Sequence, residues 1–118
     1  MNLYLYAILL SACASVIQAM QVWAPQQNAE YPVSTKIDAK YQISNALSSG
    51  TRNMYVYVEP GHKLVHKSSY PYTSMDVSFT FRAPATKGPF ALVFYDEQTA
   101  GVLQFPFVNV VNVALTAV

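Results

Sequence analysis

Two stretches of this chain alternate apolar and polar residues without a break, and that period of two constrains the fold more than any other feature. In Lys36–Ile43 the apolar Ile37, Ala39, Tyr41 and Ile43 alternate with Lys36, Asp38, Lys40 and Gln42. In Met75–Arg82 the apolar Met75, Val77, Phe79 and Phe81 alternate with Asp76, Ser78, Thr80 and Arg82. Successive side chains of an extended strand point to opposite faces, so each stretch predicts a strand with one wet and one buried face.

The remaining segments fit the same class. Met54–Val58 is aromatic and β-branched, as strands prefer, and Glu59-Pro60-Gly61-His62 ends it in a turn. Lys63–Lys67 then reads as a short return strand. Ser68–Ser74 and Ala83–Pro89 are polar or proline-punctuated connections. The run Phe90–Tyr95 lacks alternation, which predicts a strand covered on both faces or packed by aromatics at an edge. Asp96 and Glu97 read as its end and the opening of a turn that continues to Gly101. A last strand is expected over Val102–Val111, with Pro106 demanding a bulge or an edge position. With a first strand near Tyr31–Ser34, about seven short strands at sandwich-like spacing predict an all-β, immunoglobulin-like antiparallel β-sandwich. No segment has helical periodicity.

Residues 1–19 read as a leader. Leu3–Leu10 is an apolar core, and Ala12-Cys13-Ala14 or Ile17-Gln18-Ala19 offers small residues for cleavage, as in a secretory signal peptide. The alternative is an uncleaved membrane anchor, since about 20 apolar residues span a bilayer. Leu10-Ser11-Ala12-Cys13 has the spacing of a lipoprotein box, but the uncharged start and the apolar residues after Cys13 speak against it. Residues 20–118 then form a single domain of common size, without a cysteine, because Cys13 is the chain's only one.

Only 11% of residues are charged, and all of these lie between Glu30 and Glu97. The net charge of +1 and the scattered Lys and Arg supply no field for nucleic acid, so none is expected as a partner. The uncharged segment Val108–Val118 has two readings, a final strand or the start of a truncated membrane span. Pro106, Asn109 and Asn112 favour the strand up to Val111, and the residues beyond Val113 stay open.

Candidate chemistry is sparse. His62 and His66 stand four apart and could project from one face as metal ligands, but no third ligand completes a zinc-type site, so no metal or cofactor is expected. Asp96 and Glu97, as strand neighbours, point to opposite faces and cannot act as an acid–base pair. No nucleophile elbow, phosphate loop or metalloprotease helix occurs, so no catalytic residues are assigned and an enzyme is not expected. Tyrosines remain: Tyr55, Tyr57, Tyr70 and Tyr72, joined by Tyr95, are candidates for a partner-contact surface. The bland reading is that they fill the edge of the core.

Two segments carry a resemblance. Asn53-Met-Tyr-Val-Tyr-Val-Glu-Pro-Gly-His-Lys63 resembles the segment of the translocon-associated protein delta family in which an Asn-Met pair leads a tyrosine strand into a Gly-x-Lys turn. Gly88-Pro-Phe-Ala-Leu-Val-Phe-Tyr-Asp-Glu97 is similar to that family's Gly-aromatic strand ending in an aromatic pair and Asp-Glu. Val77–Phe81 falls where the family has its own alternating strand. The resemblance implies a non-catalytic luminal subunit of the endoplasmic-reticulum translocation machinery, working through contacts with the channel and its accessory subunits. Membrane association is expected through an uncleaved leader or the C-terminal apolar segment. The alternative is a secreted or cell-surface adhesion module with an extracellular location.

Overall fold

The computed structural model describes residues 20–44, 49–69 and 74–118. The leader, Cys13, Tyr70 and Tyr72 lie outside the described residues.

Eight strands follow one another: β1 (Met20–Ala24), β2 (Glu30–Tyr31), β3 (Lys36–Ile43), β4 (Ser49–Glu59), β5 (Lys63–Ser69), β6 (Met75–Arg82), β7 (Gly88–Ala100) and β8 (Phe105–Ala117). They form a three-stranded sheet in the order β1-β3-β6 and a five-stranded sheet in the order β2-β8-β7-β4-β5. Packed face to face, these orders give an immunoglobulin-like β-sandwich. All pairings are antiparallel except β2 with β8, which is parallel and makes the larger sheet mixed.

The two alternating stretches become β3 and β6, which pair residue for residue from Lys36 opposite Arg82 to Ile43 opposite Met75. Four other expectations are corrected. An unforeseen β1 precedes the first expected strand, and that strand is only the two residues of β2. The last strand starts later than Val102, because Gly101 and Gln104 close a turn, Gln104 N–H donating to the Gly101 carbonyl at 3.1 Å. β8 then runs on to Ala117, which resolves the apolar C-terminal segment as a strand. Asp96 and Glu97 do not end β7, which continues through them to Ala100. Pro106 takes the edge option, because β2 flanks β8 only at Thr116 and Ala117.

The core lies between the sheets. Ile37, Ala39, Tyr41 and Ile43 of β3 face Met54, Val56 and Val58 of β4 and Phe90, Leu92 and Phe94 of β7, all buried. Tyr41 and Phe94 meet edge to face across the gap, ring centroids 5.7 Å apart. Edge-to-face pairs add about 0.5–1.5 kcal/mol beyond their area burial. His66 on β5 closes the side of the sandwich. It stacks on Phe79 of β6 at 4.3 Å and is hydrogen-bonded through Nε2 to the Tyr41 hydroxyl at 2.8 Å.

Candidate protein-interaction face

β4 alternates with Met54, Val56 and Val58 inward, which sends Tyr55 and Tyr57 to the outer face of the five-stranded sheet. β7 does the same beside it. Phe94 and Asp96 point in, Tyr95 and Glu97 point out, and the register sets Tyr95 opposite Tyr55. The turn after Glu59 then folds His62 back over the sheet. Its ring stacks flat on Tyr57, centroids 3.9 Å apart at 9°, and its Nδ1 contacts a Glu59 carboxylate oxygen. Tyr95 meets Tyr57 edge to face at 5.5 Å. Lys67 lies over the Tyr55 ring with Nζ 5.6 Å from its centroid, a cation–π arrangement.

Tyr55, Tyr57, His62, Tyr95, Glu97 and Val108 line a groove of about 350 Å³ on this face. Tyr57 and Tyr95 are half-buried and hold each other and the exposed His62 ring in contact, so these orientations are fixed before any partner arrives. Preorganised aromatic side chains lose little entropy on binding, and tyrosine adds a hydroxyl at its rim. Glu97 and His62 supply polar groups at the ends. The arrangement is suited to gripping an apolar or aromatic side chain of another molecule.

Of the tyrosines proposed from sequence, Tyr55, Tyr57 and Tyr95 are brought together here. His62 is a groove residue that sequence reasoning missed, because its place depends on the backward fold of the Gly61–His62 turn, where both residues have positive φ. Val108 was missed because it reaches the groove only through its place opposite Glu97 on β7, while Tyr55 and Tyr57 stand on β4, far away in sequence. The suggestion that His62 and His66 share a face is corrected: a bulge between Val56 and Tyr57 leaves His66 opposite Val56 on the inner face, while His62 lies outside. Among the described residues no three His, Cys, Asp or Glu side chains gather as a metal site.

The other polar cluster is internal. Asp96 is fully buried and accepts hydrogen bonds from Thr51 Oγ1 at 2.6 Å and Gln98 Nε2 at 2.5 Å. A bulge at Arg52 in β4 turns Thr51 inward to reach it. Burial pushes the Asp96 carboxyl above its ordinary range, against the two donors that pull it down. Burial likewise holds His66 below the ordinary histidine range. Both clusters lie on the inner side of the sheet, away from the groove.

Compared with known proteins, the chain matches no protein-family model and no curated protein.

Proposed function

We propose that this protein is a non-catalytic accessory subunit of the endoplasmic-reticulum translocation machinery, acting in the lumen or at the membrane through protein–protein contacts. The groove formed by Tyr55, Tyr57, His62 and Tyr95 carries this reading: it is a rigid aromatic surface on the outer face of a sheet, where a partner has access. Interfaces concentrate their energy in such aromatic anchors. The resemblance of Asn53–Lys63 and Gly88–Glu97 to the translocon-associated delta family bears on the same place, since these segments supply Tyr55, Tyr57, His62 and Tyr95. The apolar leader supports entry into the secretory pathway and, if uncleaved, attachment to the membrane.

Purification of the tagged protein from microsomes in mild detergent tests the reading. Channel subunits are expected to accompany the wild type, and Tyr57→Ala is expected to weaken that recovery by about 2 kcal/mol, or roughly thirtyfold. Absence of channel subunits from the wild-type preparation removes the reading.

A secreted or cell-surface adhesion module is the second reading, favoured by the open side of β8 that β2 leaves uncovered. Accumulation of the protein in culture medium without membrane association supports it.

A further inference from the structure

The far side of β8 is a sheet edge of unusual character. Thr116 N–H donates to Ala29, Val118 N–H donates to Tyr31, and Asn28 N–H donates to the Ala114 carbonyl. The even-numbered residues of β8 therefore direct their backbone groups away from β7. The register with β7 is unbroken from Ala117 to Phe105, so the same parity holds up the strand. Val108, Val110 and Asn112 consequently present N–H and C=O groups to the open side, and among the described residues no backbone bond meets them there.

This open segment has defined ends. At Pro106 the donor is absent, and at Ala114 the carbonyl and the N–H are already taken by Asn28 N–H and Gln27 Oε1. Pro106 and Ala114 stand at equal sequence distance on either side of Val110. A strand bounded symmetrically about one residue is complementary to an antiparallel copy of itself, with Val110 opposite Val110 and Val108 opposite Asn112. Each such pair exchanges two backbone hydrogen bonds.

Past Pro106, the devices that keep sheet edges apart are missing from this strand. β5, the other edge of the same sheet, carries Lys63 and Lys67, and β6, an edge of the smaller sheet, carries Asp76 and Arg82. β1, the remaining edge, is only five residues long. β8 has no charged residue, and Val108 and Val110 are each 53% exposed. Inward or flanking charge is the common guard against edge pairing, and this edge lacks it.

We infer that the protein forms a two-fold dimer in which β8 of one copy pairs antiparallel with β8 of a second, joining the five-stranded sheets across Val110. The pairing needs no translocation partner and is made by backbone groups of β8, sharing only Val108 with the groove that Tyr57 lines, so either can fail alone.

The test uses the full chain in mild detergent. Sedimentation should show a concentration-dependent dimer. Val110→Lys should abolish it, and so should Val110→Pro, which removes an N–H that faces the open side and breaks no bond to β7. Both variants should keep the melting temperature of the wild type diluted to monomer, since the dimer adds its own stabilisation by mass action. In a Cys13→Ser background, Val110→Cys should form a disulfide-linked dimer on mild oxidation, because paired Cα atoms there stand about 5.5 Å apart. Val108→Cys should not, its two copies lying about 14 Å apart in this register. A wild-type monomer at all concentrations overturns the inference. So does a dimer that survives Val110→Lys, or equal cross-linking from the two positions. Loss of a different protein from the Val110→Lys preparation, with the wild type monomeric, also overturns it and gives the edge to a foreign strand.

Discussion

His66 and Asp96 are inner-face groups with opposite pH responses. For His66 the folded protein resists protonation because the ring lies against Phe79 and Tyr41, so its pKa falls below the ordinary 6.5. The unfolded chain takes up the proton first as pH drops, so the stability linked to His66 is intact above about 6.5 and is lost as pH falls toward the lower folded value. Chemical denaturation at pH 7.5 and 5 should show a lower midpoint at pH 5, and His66→Gln, which does not titrate, should shrink that difference. For Asp96 the sign reverses. Its folded pKa lies above 3.8 because burial penalises the carboxylate, so its contribution is present at low pH and lost as pH rises through the raised value. Asp96→Asn removes the buried charge and keeps an acceptor for Thr51, while the Gln98 amide can flip to accept. A higher denaturation midpoint at neutral pH is expected for this variant; an unchanged or lower one contradicts the assignment.

Among the elements, the β7–β8 hairpin shows how apolar residues come to be exposed. Gln104 turns its side chain back, donating through Nε2 to the Gly101 carbonyl at 3.0 Å and accepting from Thr99 Oγ1 at 2.8 Å. Gly101 has φ +78°, a conformation that side chains rarely adopt. The turn is thus held by its own polar groups, leaving Val102 93% and Leu103 76% exposed. Since neither packs against the domain, the double change Val102→Asp, Leu103→Asp should shift unfolding free energy by no more than about 0.5 kcal/mol, measured by denaturant titration. Strand identity was legible wherever alternation was strict: β3 and β6 have the expected bounds because a one-residue slip would turn Tyr41 or Phe81 to water. It was less legible where a strand owes its place to distant partners. β2 exists through its parallel bonds to β8, and β1 through pairing with β3, neither of which leaves a periodic trace in five residues or fewer. Asp96 and Glu97 looked like a strand end because two acids usually meet water. The inward-turned Thr51 and the neighbouring Gln98, which satisfy Asp96, become visible only in the register of β4 on β7.

For the whole molecule, the described domain ties its two sheets together without a disulfide. The bridge is aromatic, from Tyr41 on β3 to Phe94 on β7, with Phe79 and His66 completing the cluster. Phe94 is fully buried at its centre, so Phe94→Ala should cost about 3–5 kcal/mol, read as a loss of unfolding free energy. A cost below about 1 kcal/mol would mean that the sheets are held elsewhere. On its outer face the five-stranded sheet offers the groove of Tyr55, Tyr57, His62 and Tyr95, the surface proposed for partner contact. Tyr55, Tyr57 and Tyr95 were readable in advance as candidate contact residues; that β7 sets Tyr95 beside the β4 pair and that the turn returns His62 depended on the fold. The most direct measurement is photo-cross-linking in microsomes from a benzophenone side chain placed at Tyr57, with Thr80 on the exposed face of the smaller sheet as the comparison site. Adducts to channel or accessory subunits from Tyr57 and none from Thr80 are the predicted result. Equal adducts from both sites, or none from Tyr57, would contradict the assignment of this face to partner contact.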